Sequence, residues 1–240
     1  MRFEKVADNK VKINPPKLKC DAPFNPPPDV EALPTGSHFF GIVAPPGSGK
    51  SSLMYNLITR KDMYRKRFNN IFVFCPPNSR ASMPSLYKKL DASKIYDELN
   101  AENIAEVIKR IKEDAAEGKR SLCILDDMMV YLKDKEVAKS LGFLAANRRH
   151  LGGSCIWVLT QSWKSCPATT RKQMSHVYFF RPRSKMEMGA VAEEVLFLDR
   201  NQCTDLFDFV FDDGDKHAFL YVDMNNGKMY KGFDEINIVG

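Results

Sequence analysis

Short apolar runs alternate with segments of helical periodicity along most of the chain, beginning at His38. The runs are bounded by Gly, Pro or polar residues, which is typical of short strands that are buried on both faces. They predict strands over 38–44, 69–76, 121–127, 154–161 and 176–182. Because the strands alternate with helices, the pattern predicts an α/β fold with a mostly parallel sheet and helices on both faces.

Three helices are predicted between these strands. One runs from 50 to 59, directly after the first strand. The other two are marked by apolar residues at helical spacing, namely Ile104, Val107, Ile108, Ile111, Ala115, Val137, Leu141, Leu144 and Ala145. Near the C-terminus, two apolar segments flank Asn225-Asn226-Gly227, and this arrangement predicts a β-hairpin.

The first 37 residues differ from the rest of the chain. They are rich in proline, with Pro15-Pro16 and Pro26-Pro27-Pro28, and they show little periodicity. Such a composition is typical of an extended segment without a core of its own. We therefore expect an N-terminal arm over 1–37 and a single α/β domain over 38–240.

The sequence GIVAPPGSGKSS, residues 41–52, joins the first predicted strand to the first predicted helix. A glycine-rich strand-to-helix turn presents unpaired backbone N–H groups to a phosphate, and Lys50 would reach the β- and γ-phosphates. The hydroxyl of Ser51 would bind Mg²⁺. Ala44 departs from the pattern, which has glycine six residues before the lysine. The residues predicted to bind the nucleotide are Pro46, Gly47, Ser48, Gly49, Lys50, Ser51 and Ser52.

Two carboxylates follow the strand at 121–127. Asp126 and Asp127 would lie at the carboxyl edge of the sheet, where α/β proteins bind their ligands. Asp126 is predicted to hold Mg²⁺ and Asp127 to orient and deprotonate an attacking water. The sequence therefore predicts a site for ATP and Mg²⁺.

Further polar residues follow the later elements. Gln161 ends the strand at 154–161 and could contact the attacking water or the γ-phosphate. Phosphoryl transfer also calls for an arginine, which a neighbouring subunit can supply. Arg149 and Arg171 are the candidates, since both follow elements that we expect to end near the same edge of the sheet.

The charge distribution indicates the kind of partner, and the cysteine content indicates the redox compartment. The net charge is +6, with six Lys/Arg and no acid over 164–186, and eight acids and one Arg over 193–215. A basic segment suits a polyanion, and two segments of opposite charge suit head-to-tail contact between subunits. The six cysteines are scattered without a CxxC pair, which favours a reducing compartment over a disulfide framework or a zinc site. We expect neither a membrane span nor a secretory signal.

The ordered set of motifs resembles a known family. GSGKSS, ILDD, NRRH, VLTQS, TRKQMSHVYFFRPRSKMEM and HAFLYVDMNNGKMYKGFDEI together are similar to the poxvirus-type DNA-packaging ATPases of large DNA viruses and virophages. These belong to the FtsK–HerA superfamily of ring-forming DNA pumps. The resemblance spans about residues 36–235, and it implies a P-loop NTPase with a RecA/FtsK-like fold.

The resemblance also implies a function and its partners. ATP hydrolysis would drive double-stranded DNA, without regard to sequence, into a preformed capsid. Asp127 would be the base, Gln161 the sensor, and Arg149 or Arg171 the arginine that acts across a subunit boundary. The partners would be DNA, further copies of the chain in a ring of five or six, and capsid or portal proteins. The location would be a viral factory in the host cytoplasm or the virion.

Two other functions stay open at this point. A nucleoside or small-molecule kinase would share the phosphate loop, and the basic segment over 164–186 would then belong to its lid. A capsid scaffold with a decayed phosphate loop is disfavoured, because Lys50 and both carboxylates are intact. A GTPase is disfavoured as well, since no NKxD motif follows the phosphate loop.

Overall fold

The computed structural model describes residues 22–81, 87–212 and 214–237. Within this part of the chain, nine strands form one sheet. They are β1 (Phe39–Val43), β2 (Asn70–Phe74), β3 (Ile95–Tyr96), β4 (Ser121–Asp126), β5 (Cys155–Thr160), β6 (His176–Phe180), β7 (Phe219–Asp223), β8 (Lys228–Lys231) and β9 (Asp234–Ile236).

Seven α-helical segments accompany the sheet in the described residues. They are α1 (Lys50–Thr59), α2 (Pro77–Ala81), α3 (Ala101–Ala116), α4 (Lys135–Asn147), α5 (Ala168–Arg171), α6 (Lys185–Val191) and α7 (Arg200–Phe211). Two 3₁₀ turns, at Ala92–Lys94 and Met129–Lys133, and a π-helical turn, at Ala192–Leu196, complete the helical structure.

The strand order is β3-β2-β4-β5-β1-β6-β7-β8-β9. Neighbouring strands are parallel from β3 to β6, and the last three pairings are antiparallel. Strand β1 therefore lies between β5 and β6, with Val43 opposite Thr160 on one side and Phe179 on the other. This order brings the carboxyl ends of β1, β4 and β5 together at one edge of the sheet.

The two faces of the sheet carry separate apolar cores because alternate strand residues point to opposite sides. One face packs against α3, α4, α6 and α7, with Phe72, Ile156 and Phe179 among the buried strand residues. The other face packs against α1, with Phe40 and Trp157 in its centre. The predicted α/β fold, with a mostly parallel sheet and helices on both faces, is confirmed.

The predicted strands and the C-terminal hairpin are also present. The hairpin pairs β7 with β8 around 224–227, as the Asn-Asn-Gly sequence predicts. Sequence analysis missed the short edge strands β3 and β9, the short helices α2, α5 and α6, and the longer helix α7. A signal for α7 exists in the sequence, because Cys203, Phe207 and Val210 are buried at helical spacing. Its acidic character concealed that periodicity.

The second half of the proline-rich segment lies against the α1 face. Phe24 and Leu33 are buried there, and the hydroxyl of Tyr64 donates to the carbonyl of Pro34 at 2.9 Å. Residues 1–21 lie outside the described part, so the division into an arm over 1–37 and a domain over 38–240 stays a prediction. No described helix combines the length and the apolar character that crossing a bilayer requires.

Candidate nucleotide-binding site

The turn between β1 and α1 has the backbone that a phosphate loop needs. Gly47 and Gly49 have φ angles of 79° and 109°, a region that side chains disfavour. Gly49 is the N-cap of α1 and brings no capping side chain, so the first N–H groups of the helix are left for a ligand. Ala44 is fully buried and donates its N–H to Thr160, continuing the ladder of β1. Its conformation therefore places no demand for glycine there.

Lys50 is the first residue of α1, and it lies between this loop and the carboxylates that follow β4. Its Nζ contacts Oδ1 of Asp127 directly and lies 3.4 Å from Oδ1 of Asp126. The lysine side chain is 11% exposed, which places the positive charge in a sheltered position. Two carboxylates beside one sheltered cation give the site a net negative charge, and a metal cation would offset it.

Asp126 is buried and incompletely paired. Its Oδ2 lies 3.5 Å from the hydroxyl of Tyr87 and 3.8 Å from Sγ of Cys75. Its Oδ1 accepts no hydrogen bond from the described residues. Burial raises the pKa of Asp126, and the neighbouring Lys50 opposes that shift. A buried carboxylate oxygen that has an ion-pair contact with Lys50 but no hydrogen bond fits a hard cation such as Mg²⁺, which prefers oxygen ligands.

Asp127 has an unusual backbone. Its φ is 56°, in the left-handed region that few residues other than glycine adopt. The N–H of Asp127 donates to the carbonyl of Leu159 on β5, which fixes this conformation. Such strain costs on the order of 1–3 kcal/mol and concentrates at functional sites. Here it turns the carboxylate toward Lys50.

A cavity of about 340 Å³ lies over the phosphate loop at the carboxyl edge of the sheet. It is lined by Ala44, Pro45, Pro46, Gly47, Gly49, Lys50, Ser51, Ser52, Asp127, Gln161 and His217. The structure thus brings together most of the residues that the sequence suggested for nucleotide binding and for catalysis. Ser48 contributes its backbone beside the cavity, and Asp126 lies behind Lys50.

The family model described as "Poxvirus A32 protein" matches residues 31–195 of this sequence. The chain belongs to the poxvirus A32 protein family. The resemblance found in the motifs is therefore confirmed. A search of the curated protein sequences finds no significant match.

Solved structures share the fold of this chain. The DNA-packaging ATPase B204 from Sulfolobus Turreted Icosahedral Virus has 17% identity and a TM-score of 0.62, over 85% of this chain and 99% of that one. The genome packaging NTPase B204 from Sulfolobus turreted icosahedral virus 2, in complex with ATP-gammaS, has 16% identity and a TM-score of 0.58, over 85% and 98%. The cytoplasmic domain of the Thermomonospora curvata type VII secretion ATPase EccC has 18% identity and a TM-score of 0.50, over 71% and 22%.

Two basic residues of this A32-family chain were missed by sequence analysis. The ring Nδ1 of His217 donates to the carbonyl of Ser48 at 2.9 Å, and Nη2 of Arg183 donates to the carbonyl of Pro46 at 3.0 Å. Both lie far along the chain, and no local pattern marks them. They reach the loop because β6 lies next to β1 and β7 next to β6.

A second cavity, of about 370 Å³, adjoins the first. The two share Gly49, Ser52 and His217, and a side chain at Gly49 would come within 2.9 Å of the His217 ring. The rest of this second cavity is lined by Leu53, Asn56, Arg60, Met63, Phe180, Phe219 and Phe233. Its aromatic lining suits a planar ring, whereas the first cavity suits an anion.

Arg171 is held within its own chain. Its Nε and Nη2 each donate to the carboxylate of Glu194 at 2.8 Å, and its Nη1 donates to the carbonyl of Cys166. The guanidinium also lies 5.3 Å from the centre of the Trp163 ring. The basic segment over 164–186 therefore meets the acidic segment over 193–215 inside one chain at this point.

Arg149 lies near the amino ends of the parallel strands, whereas the phosphate loop lies at their carboxyl ends. It follows α4 and precedes β5, and it lines a larger cavity of about 790 Å³ together with Arg67, Arg120 and His150. The expectation that Arg149 and Arg171 end near the same edge was wrong for Arg149. The reason is that α4 returns the chain to the start of β5.

Proposed function

We propose that this chain hydrolyses ATP to move double-stranded DNA into a preformed viral capsid. The observation that carries the proposal is the contact of Lys50 with the carboxylates of Asp126 and Asp127, beside a glycine-rich helix N-terminus. Membership of the poxvirus A32 protein family and the fold of the B204 packaging NTPases support it. Neither the family match nor the solved structures favour a kinase.

The phosphates of ATP would lie in the cavity over the phosphate loop. The backbone N–H groups at Gly47–Ser52 would bind the β- and γ-phosphates, and Lys50 would turn from Asp127 toward them. Mg²⁺, held by Ser51 and Asp126, would neutralise phosphate charge. The adenine ring of ATP would lie in the adjoining aromatic cavity. A nucleotide in the first cavity can extend into the second past Ser52 and His217, which line both.

Asp127 and Gln161 would handle the attacking water. Asp127 is the less buried of the two carboxylates, at 25% exposure against 4% for the side chain of Asp126, and it lines the cavity. It would accept the proton of the water as the nucleophile forms. Gln161 lies at the end of β5 and would orient the same water through its amide.

The DNA-binding surface would be formed by the basic segment over 164–186. Five of its six cationic side chains are exposed, namely Lys164, Lys172, Arg181, Arg183 and Lys185. The sixth, Arg171, is paired with Glu194. Contacts of lysine and arginine with phosphates carry no sequence information, as a motor that moves along any DNA requires. A second basic group, Arg60-Lys61 with Arg65-Lys66-Arg67, lies after α1.

The remaining partners follow from this function. Several copies would form a ring of five or six around the duplex, because one domain of this size cannot encircle a helix about 20 Å wide. An arginine from a neighbouring copy would complete each site. Capsid or portal proteins would hold the ring, and the location would be a viral factory in the host cytoplasm or the virion.

An ATPase assay with and without duplex DNA tests the proposal. We expect Mg²⁺-dependent turnover that rises when duplex DNA of any sequence is added, and no turnover in the Lys50→Ala variant. Nucleosides serve as the comparison, because a kinase would be stimulated by its phosphate acceptor and would leave a phosphorylated product. Turnover that responds to a nucleoside and ignores DNA would contradict the proposal.

A further inference from the structure

The loop that follows Gln161 is held by two carboxylates from the segment that contains α6 and the π-helical turn. Glu187 accepts hydrogen bonds from Oγ of Ser162, at 2.9 Å, and from the backbone N–H of Trp163. Glu194 accepts one from Nε1 of Trp163 at 3.0 Å. The two residues directly after Gln161 are therefore fixed to this segment and not only to β5.

Glu187 is well placed for this role because α6 itself orients it. It lies in the first turn of the helix, where its backbone N–H donates to the Ser184 side chain at 3.2 Å. Hydrogen bonds to an ionised carboxylate are roughly twice as strong as those between neutral groups. One charged group thus binds two consecutive residues of the loop.

The same segment also reaches the phosphate loop and the basic surface. Arg183, four residues before Glu187, donates to the carbonyl of Pro46. Lys185 and Met186 are exposed, Met186 to 70%, on the first turn of α6. Residues 181–186, which include the exposed Arg181, Arg183 and Lys185, form a basic surface. This surface lies directly between the contact with the phosphate loop at Arg183 and the residue that holds the Gln161 loop, Glu187.

We propose that Glu187 is a positioning residue that couples Gln161 to the basic surface over 181–186. A displacement of Gln161 during hydrolysis pulls on Ser162 and Trp163, and through Glu187 it moves α6. DNA bound at this surface acts in the reverse direction on Gln161, because coupling between two binding sites is reciprocal. This inference rests on the proposed function, since it assumes that ATP and DNA bind at these two places.

The anchoring of Trp163 separates coupling from a merely structural role. The Trp163 ring is buried and packs edge-on against Phe179, with 5.3 Å between the ring centres, and Glu194 holds its indole N–H. Loss of the Glu187 carboxylate removes the hydrogen bonds from Ser162 and from the backbone N–H of Trp163 but leaves the Trp163 ring in place. A merely structural Glu187 would affect stability alone.

The experiment compares Glu187→Ala, Glu187→Gln and the control Glu193→Ala in the full chain, by DNA-stimulated and basal ATPase rates, KM for ATP and melting temperature. Glu193 is an exposed acid of the same segment. We expect Glu187→Ala to keep KM for ATP but to lower the stimulation by DNA, taken as the ratio of stimulated to basal turnover, on the order of fivefold or more. Glu187→Gln should recover most of it, because its amide can accept from Trp163 and donate to Ser162. Glu193→Ala should match the parent.

A second measurement tests the effect of nucleotide on DNA binding. It compares the affinity for a fluorescent duplex with and without ATP-gammaS. Nucleotide should change DNA affinity in the parent and in Glu187→Gln, but not in Glu187→Ala. If Glu187→Ala does not fold, Ser162→Ala removes one of the two hydrogen bonds and should lower the stimulation partially. If DNA stimulates the ATPase rate of the parent, and stimulates Glu187→Ala and Ser162→Ala to the same extent, this inference is overturned while the proposed function stands. A parent that hydrolyses ATP without any response to DNA overturns the proposed function as well.

Discussion

Lys50 and Asp127, which are 77 positions apart in the sequence, are in direct contact at the carboxyl edge of the sheet. The contact joins the phosphate loop to the strand-end carboxylate across β5, which lies between β1 and β4. Under the proposed function, a phosphate would compete with Asp127 for the same ammonium group. The charge of Asp127 would then lower the affinity for ATP.

The first prediction follows from this competition. Asp127→Asn should bind ATP at least as tightly as the parent, because Lys50 is released toward the phosphates. Its turnover should fall roughly 10²–10⁴-fold, since an amide cannot accept the proton of the water. Lys50→Ala, in contrast, should lose binding. Equilibrium binding of a fluorescent ATP analogue and steady-state hydrolysis separate the two effects. Parental turnover in Asp127→Asn would show that another residue is the base.

The second prediction concerns the aromatic cavity beside the phosphate loop. Phe233→Ala should weaken ATP binding roughly tenfold, because stacking of a base on an aromatic ring contributes about 1–3 kcal/mol. Binding of inorganic tripolyphosphate should not change, since that ligand has no base. Calorimetry with both ligands measures the difference, and Phe143→Ala, a partly exposed phenylalanine on α4, is the matched control. Equal losses for ATP and tripolyphosphate would contradict a base site.

Much of the fold and part of the site could be predicted from the sequence. Val43, Leu125 and Leu159 belong to apolar strands with clear boundaries, and a glycine-rich turn before a helix has few alternative structures. Arg183 and His217 could not be predicted, because their contacts with the loop depend on the neighbour relations of β1, β6 and β7. The position of Arg149 was misjudged for a similar reason. Periodicity locates a helix but does not tell at which edge of the sheet it ends.

The third prediction concerns pH and the two histidines buried at the start of β1 and β6. Burial lowers the pKa of His38 well below its usual value and that of His176 to about 4. The folded state then binds fewer protons than the unfolded state between pH 6.5 and 4. Stability should be full above pH 6.5 and should fall as the pH decreases, by up to about 1.4 kcal/mol per pH unit for each histidine.

Urea unfolding at pH 7, 6 and 5 measures this dependence. The neutral form of His38 is fixed by its partners, because Nε1 of Trp157 donates to Nε2 at 3.0 Å and Nδ1 donates to the carbonyl of Gly36 at 2.9 Å. His176→Gln should reduce the slope by about one proton, and the remaining slope belongs to His38 and other groups. A free energy of unfolding that stays constant from pH 7 to 5 would contradict the assignment.

The fourth prediction concerns DNA. The logarithm of the affinity for duplex DNA should fall linearly with the logarithm of the salt concentration, with a slope of about −0.9 per phosphate contact. Replacing Lys164, Arg181 or Lys185 by Ala should each make the slope less steep by about one contact, equally for unrelated sequences. Fluorescence anisotropy measures it, with Lys109→Ala, an exposed lysine on α3, as the control. Strong preference for one sequence would contradict a motor that moves along any DNA.

The last prediction is that Arg149 completes the active site of a neighbouring copy. Strand β5 has six residues, so its two ends lie about 17 Å apart, and Arg149, which precedes this strand by several residues, cannot reach the phosphates of its own chain. Arg149 is exposed. Arg171 is paired with Glu194 of its own chain and lies over the Trp163 ring. Loss of such an arginine should lower turnover on the order of 10³-fold and leave ATP affinity nearly unchanged.

Mixed assemblies distinguish action between copies from action within one. Lys50→Ala subunits bind no ATP but retain Arg149, and Arg149→Ala subunits bind ATP but lack the arginine. Each mutant alone should be inactive, and a mixture should regain activity where an intact Arg149 meets an intact phosphate loop. The same mixture with Arg171→Ala is the comparison, and there we expect no rescue, because Arg171 supports its own chain. Rescue by Arg171→Ala but not by Arg149→Ala would reverse the assignment, and rescue by neither, with both variants assembled, would place the catalytic arginine elsewhere.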